Sequence, residues 1–256
     1  MVAVALGIAI GVLSGLFGVG GSSISTPFLR ILLHTPRLTA LGSPLPVTIP
    51  TAIVGGYAYH RQGFVNWRVV RLVVIGGVPA VLAGSLLTKW VPAEGLMFLI
   101  AGAVFAIGVQ MLLTRGALAP AGRTAQPALA EWPQRSTLFV LGMGAVVGVL
   151  SGLLANGGGF LLVPAFVVLG ARVREAAATS LPCVALLAVP GTVSHAVLGH
   201  VDGVLALKLT AGVIPATFIG SYLSLRFQSV RMRRPFGIFL SVFGLYFFVR
   251  ELLQVV

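Results

Sequence analysis

Apolar segments, most of them long enough to cross a lipid bilayer, recur along the whole of this 256-residue chain. They cover residues 2–17, 22–33, 40–59, 68–89, 94–114, 137–154, 159–170, 176–198, 204–226 and 235–253. A helix of about 20 residues spans a hydrocarbon core of about 30 Å. Because lipid cannot satisfy backbone polar groups, these segments predict an all-α integral membrane protein.

The composition agrees with a membrane protein and excludes other classes. Charged residues make up 9% of the chain, whereas soluble proteins carry roughly a quarter. The net charge of +12 comes from arginines dispersed over short connections, which is typical of topogenic charge and not of a nucleic-acid surface. Cys183 is the only cysteine, so internal disulfides and cysteine-based metal sites are excluded. The first 15 residues lack a basic region and a cleavage site, and we interpret them as a membrane segment.

One sequence pattern occurs twice. GVLSGL occupies residues 11–16 and again residues 148–153. After a shift of 136 residues, SPLP at 43–46 matches TSLP, and GFVN at 63–66 matches GHVD. Matched blocks in one order indicate a duplication. The predicted parts are a first membrane repeat at 1–114, a Pro- and Ala-rich linker at 115–136 and a second membrane repeat at 137–256.

Segments 22–33 and 159–170 are too short to cross a bilayer comfortably. Each forms either a hairpin or one broken span with the segment before it. The hairpin interpretation divides the arginines and lysines twelve against five between the two faces, and the broken span divides them nine against eight. The positive-inside rule favours the hairpin, with both termini extracytoplasmic. The poorer face carries Arg30, Arg37, Lys89, Lys208 and Arg250.

Each half then crosses the membrane an odd number of times, so its copy is inverted. The predicted fold is an inverted repeat of two homologous halves, each a broken-helix hairpin plus three further transmembrane helices. Many secondary transporters have this architecture and bind substrate between the halves. Glycines spaced by four residues indicate close helix packing; they are Gly7, Gly11, Gly15, Gly144, Gly148 and Gly152.

Clusters of consecutive glycines break the helices after each GVLSGL block. Such irregular backbone survives at membrane depth only inside protein or beside a wet cavity. The helices that restart there present free N–H groups and positive dipole ends, which favour an anion. We therefore predict a central anion site, with a sharp turn that binds nothing as the alternative. Its residues are Gly20, Gly21, Ser22, Ser23, Asn156, Gly157, Gly158 and Gly159.

Five further positions are candidates for substrate contact. Ser43, Thr179 and Ser180 stand before prolines at the predicted start of helices, where a hydroxyl contacts substrate or caps the helix. His195 lies near the end of an apolar segment, and Tyr59 occupies its matched place. A buried histidine is either functional or a structural residue bonded to a carbonyl.

We expect no enzymatic activity, metal or cofactor. The chain has no paired-carboxylate site and no zinc-protease signature. Ser194 and His195 are adjacent on a helix, so their side chains point about 100° apart. No acidic residue falls in the middle of an apolar segment, which leaves no basis for a buried sodium site or a carboxylate relay.

GVLSGLFGVGGSSISTPFL at residues 11–29 and GVLSGLLANGGGFLLVPAF at residues 148–166 resemble the TauE/SafE family of sulfite-exporter-like permeases. TSLP and GHVDG in the second half support this resemblance. It implies alternating-access export of small sulfur-containing anions, such as sulfite or organosulfonates, across a bacterial inner membrane. The implied partners are the anion and the lipid bilayer, with a homodimer left open. A membrane scaffold and an anion channel are the alternatives.

Overall fold

The computed structural model describes residues 2–17, 21–60, 63–113, 136–171, 173–226 and 230–254. These residues form helices and connections without a β-strand. The helices are α1 (Val2–Phe17), α2 (Ser22–Leu32), α3 (Arg37–Gly42), α4 (Leu45–His60), α5 (Trp67–Leu87), α6 (Ala93–Leu113), α7 (Thr137–Leu153), α8 (Gly159–Val168), α9 (Val173–Val197), α10 (Gly203–Arg226) and α11 (Val230–Leu253). The all-α prediction is confirmed. Residues 115–135 of the predicted linker lie outside the described residues.

The predicted segment 40–59 is the one that the structure divides. A turn at Ser43 and Pro44 separates α3 from α4, because proline lacks the N–H of a helical residue and its ring crowds the carbonyl four positions earlier. The matched helix α9 runs without interruption through Pro182 and Pro190. Our expectation that a helix begins at Thr179 is therefore wrong, since this residue lies in the interior of α9.

Within the described residues, five stretches are long and apolar enough to cross a membrane: Arg37–Tyr57, Trp67–Leu87, Ala93–Gln110, Glu175–Val197 and Gly203–Gly220. Shorter apolar helices lie at Val2–Gly15 and Thr137–Leu153. Large apolar side chains such as Ile75, Leu138 and Phe218 are exposed on the helix bundle, and hydrocarbon is the medium that accepts such a surface. The protein is a multi-pass membrane protein.

The first helix of each half packs in parallel against a helix of the other half. Gly11 of α1 faces Val213 of α10, and a methyl group at this glycine would lie 2.6 Å from the Val213 carbonyl oxygen. Gly148 of α7 faces Gly77 of α5, where the corresponding distance is 2.5 Å. The predicted packing role of these glycines is confirmed, because only glycine allows such close backbone approach.

Two pairs of matched helices pack against each other and run antiparallel. In the α4–α9 pair, Gly55 and Gly56 lie beside Leu181, whereas Leu45 lies beside Gly191. In the α6–α11 pair, Gly108 faces Gly237 and Ser241, whereas Gly244 faces Phe105 and Ala101.

A buried ion-pair network joins the end of α2 to the end of α11. The Glu251 carboxylate at the end of α11 is fully buried and contacts Arg30 at 2.7 Å and Arg37 at 3.0 Å. Arg37 also contacts Glu94 at 2.8 Å. The end of α2 therefore lies beside the end of α11 and the start of α6.

Candidate functional site

The two glycine-broken turns meet inside the bundle. The Ser22 hydroxyl at the start of α2 donates to the Asn156 backbone carbonyl at 2.9 Å and also contacts the side-chain carbonyl oxygen of this residue. Ser22 is 1% exposed and Asn156 is 4% exposed. The two predicted helix N-termini are therefore brought together and are closed to solvent in this conformation.

Glycine is required where each short helix begins. Gly158 precedes α8 with a φ of 77°, and Gly21 precedes α2 with a φ of 28°. Positive φ values are unfavourable for residues with a Cβ atom. The first N–H groups of α2 and α8 have no partner within their own helices. They form the positive ends of two helix dipoles that lie beside the Ser22–Asn156 contact.

Two serines that we did not predict support these turns. The Ser14 hydroxyl accepts a hydrogen bond from the Gly21 amide at 2.9 Å. Ser151 occupies the matched position, and its backbone carbonyl accepts from the Asn156 amide at 3.1 Å. Each serine is the one polar side chain of its GVLSGL block. The polar side chain in an apolar block was the signal that could have identified Ser14, whereas the Ser151 contact is made by its backbone and has no side-chain signal.

Ser43 and Thr179 accept hydrogen bonds that link the two halves. The Asp202 amide donates to the Ser43 hydroxyl at 3.0 Å, and the Asn66 amide donates to the Thr179 hydroxyl at 3.0 Å. Ser43 matches Thr179 and Asn66 matches Asp202 in the repeat. Ser180 donates to the Ala177 carbonyl of its own helix at 2.9 Å.

His195 is fully buried near the end of α9. Its Nε2 lies 2.8 Å from the Gly152 carbonyl oxygen, and its Nδ1 lies 3.0 Å from Nδ1 of His200. The carbonyl bond of a structural histidine is present, together with a contact to a second imidazole, that of His200. Tyr59, at the matched place, is half-buried and packs against the core formed by α5, α7 and α9.

Two predicted positions cannot be placed in full: Gly20 lies outside the described residues, and of Ser23 only the backbone is described.

Gly157 has a φ of 61°. A methyl group on it would lie 3.4 Å from the Thr48 hydroxyl oxygen and 3.2 Å from a methyl carbon of Val184. In the part of the chain that the structure describes, no cluster of three His, Cys, Asp or Glu residues could hold a metal ion.

Comparison with known families decides the kind of protein. The model of the family described as "Sulfite exporter TauE/SafE" matches residues 3–247. The chain belongs to this family. TauE/SafE membership confirms the resemblance carried by the two glycine-broken segments, and it covers both halves of the chain.

Relatives of this TauE/SafE protein have names that describe transporters and not enzymes. "Probable membrane transporter protein YdhB" of Bacillus subtilis (strain 168) is 29% identical over 215 residues, which are 83% of this chain and 85% of that protein. A "Probable membrane transporter protein" of Xylella fastidiosa (strain 9a5c) is 27% identical over 251 residues, which are 96% and 94% of the two chains. No solved structure matches the chain. These findings support a membrane transporter.

Proposed function

We propose that this protein exports a small sulfur-containing oxyanion, such as sulfite or an organosulfonate, by alternating access. The single observation that carries the proposal is the contact between Ser22 and Asn156. It joins the N-termini of α2 and α8, where the positive ends of two helix dipoles attract negative charge. The anion replaces the Ser22–Asn156 contact and accepts hydrogen bonds from the same groups.

We propose that the halves 1–114 and 137–256 form an inverted repeat around this site. The antiparallel packing of α4 on α9 and of α6 on α11 supports an inverted relationship. In this arrangement the hydroxyl bonds of Ser43 and Thr179 hold opposite ends of the bundle closed. The protein lies in the bacterial inner membrane, with both termini extracytoplasmic as the distribution of arginines indicates.

The test is anion counterflow into liposomes that contain the purified protein. Labelled sulfite outside should accumulate transiently when unlabelled sulfite or taurine is inside. Asn156→Asp places a carboxylate beside the anion and should reduce the rate at least tenfold, since like charges repel in a buried site. Asn66→Asp is the matched control, because it makes the same change at the position that matches Asp202 and retains a good N-cap.

Other results of these experiments would indicate a different function. The protein is a scaffold if the wild type transports no sulfur oxyanion and the substitutions Gly21→Ala and Gly158→Ala abolish its association with other proteins. Conductance without counterflow indicates an anion channel. If Asn156→Asp leaves counterflow unchanged, the anion does not bind at the turns before α2 and α8.

A further inference from the structure

Two histidine rings form a direct hydrogen bond at the end of α9. Nδ1 of His195 and Nδ1 of His200 are 3.0 Å apart. His195 is fully buried, and His200 is 8% exposed. The other ring nitrogen of His195 lies 2.8 Å from the Gly152 carbonyl oxygen. The hydrogen-bond geometry of this buried pair determines how many protons the two rings hold.

The proton positions follow from the carbonyl. A carbonyl oxygen only accepts, so Nε2 of His195 carries a hydrogen and donates to Gly152. The Nδ1 of a neutral His195 is then an acceptor, and the donor in the shared bond is Nδ1–H of His200. Nε2 of His200 is left as a base. One further proton binds there without breaking either bond, whereas a second would have to bind at Nδ1 of His195 and break the pair.

In the part of the chain that the structure describes, no carboxylate compensates this proton. Helices α7 and α8, which pack on α9, carry no ionisable residue. Among the other helices packed on α9, Arg37 of α3 is paired with Glu94 and Glu251. His60 of α4 and Arg68 and Arg71 of α5 lie toward the opposite end of α9. On α9 itself, Glu175 lies at that opposite end as well.

Two charged residues remain at the end of α9 where the pair lies. The Asp202 carboxylate accepts from the amides of Val204 and Leu205 at the start of α10. Lys89, which follows α5, is exposed. Among the described residues, a positive charge on the histidine pair therefore has no acidic side chain as its partner, and a bound anion can supply the missing negative charge.

Gly152 connects the histidine pair to the turn before α8. Its carbonyl oxygen, which accepts from His195, also accepts from the Ala155 amide at 3.4 Å. Ala155 adopts a φ of 48° and is followed by Asn156. We propose that the His195–His200 pair binds the proton that is transported together with the anion. This inference rests on the proposed function and names its coupling ion.

The chemistry of the pair suits this role. Burial lowers the pKa of His200, so the pair is uncharged at neutral pH when no anion is present. An anion at the turn favours the charged form of the pair, and by linkage a proton on the pair strengthens anion binding by the same factor. One anion and one proton then cross without net charge.

The experiment compares two kinds of transport in liposomes, with methanesulfonate, an organosulfonate that carries one negative charge, as the substrate. Counterflow at equal pH on both sides measures exchange, and accumulation against a concentration gradient measures coupling. For electroneutral one-to-one coupling, a gradient of one pH unit should drive about tenfold accumulation. His200→Asn retains the N–H that donates to His195 and removes the base. We expect this variant to exchange anions but to lose accumulation driven by pH.

The matched control is His34→Asn, because His34 is exposed in the connection between α2 and α3; it should accumulate anions like the wild type. Proton uptake by the purified protein on addition of anion should be one per molecule in the wild type and absent in His200→Asn. The inference is overturned, and the proposed function is not, if gradient-driven accumulation persists in His200→Asn. The same holds if the wild type exchanges anions without any response to pH. A wild type without any exchange overturns the proposed function and the inference together.

Discussion

The backbone N–H of Asp202 donates a hydrogen bond to the Ser43 hydroxyl at 3.0 Å, and the repeat-related N–H of Asn66 donates to Thr179 at 3.0 Å. Both hydroxyl residues are fully buried. Asn66 and Asp202 also accept hydrogen bonds from the first turns of α5 and α10. The start of each of these helices is thus attached to the opposite half of the protein.

Removal of the Thr179 hydroxyl should destabilise the protein. Thr179→Ala leaves the Asn66 N–H without its acceptor, which costs about 1–3 kcal/mol for a buried group. Thermal unfolding in detergent measures the change. Ser180→Ala is the control on the next residue, because its hydroxyl bonds only to its own helix, and it should change the unfolding temperature much less. Equal effects of both variants would contradict this account.

The close approach of α7 to α5 should not tolerate a methyl group at Gly148. Gly148→Ala places a carbon 2.5 Å from the Gly77 carbonyl oxygen, and we expect a loss of about 1–3 kcal/mol from overpacking. The control is Gly142→Ala on the same helix, where nothing lies within 4 Å of the added carbon. This control should be neutral or slightly stabilising, since alanine favours helix by about 1 kcal/mol. A stable Gly148→Ala would exclude the observed packing.

The Glu251 carboxylate should be important for stability because it is fully buried between Arg30 and Arg37. Glu251→Gln leaves Arg30 without its counter-charge and leaves Arg37 with Glu94 alone, and removal of one partner from a buried pair costs about 3–5 kcal/mol. Glu94→Gln is the matched control, since that side chain is 38% exposed and exposed pairs contribute about 1 kcal/mol or less. Chemical unfolding of both variants tests whether burial determines the difference.

Acid should destabilise the protein through His200. Burial lowers the pKa of His200 in the folded state, so between that pKa and the unfolded value of about 6.5 the unfolded chain binds more protons. The contribution is fully present above about pH 6.5 and is lost as the pH falls. Unfolding temperatures measured from pH 8 to pH 5 should fall less in His200→Asn than in the wild type. An identical slope would show that His200 is not buried as a neutral side chain.

Much of the membrane architecture could be predicted from the sequence. Hydrophobic length indicates helices because a chain in lipid must satisfy its backbone internally, and the predicted segments match the helices closely. The hairpin interpretation comes from the distribution of arginines and lysines and stays a prediction. The repeat of Gly21 and Gly158 predicted breaks at which both short helices begin, because consecutive glycines break helices whatever surrounds them.

The tertiary structure alone decided which polar groups meet. Ser22 and Asn156 are 134 residues apart, and hydropathy has no information about which helix faces another. For the same reason we could not predict that Thr179 accepts from Asn66 and not from its own helix, or that His200 joins His195. Local chemistry determines where a helix forms and where it breaks. Side-chain partners depend on distances across the bundle, which only the packing of the two halves establishes.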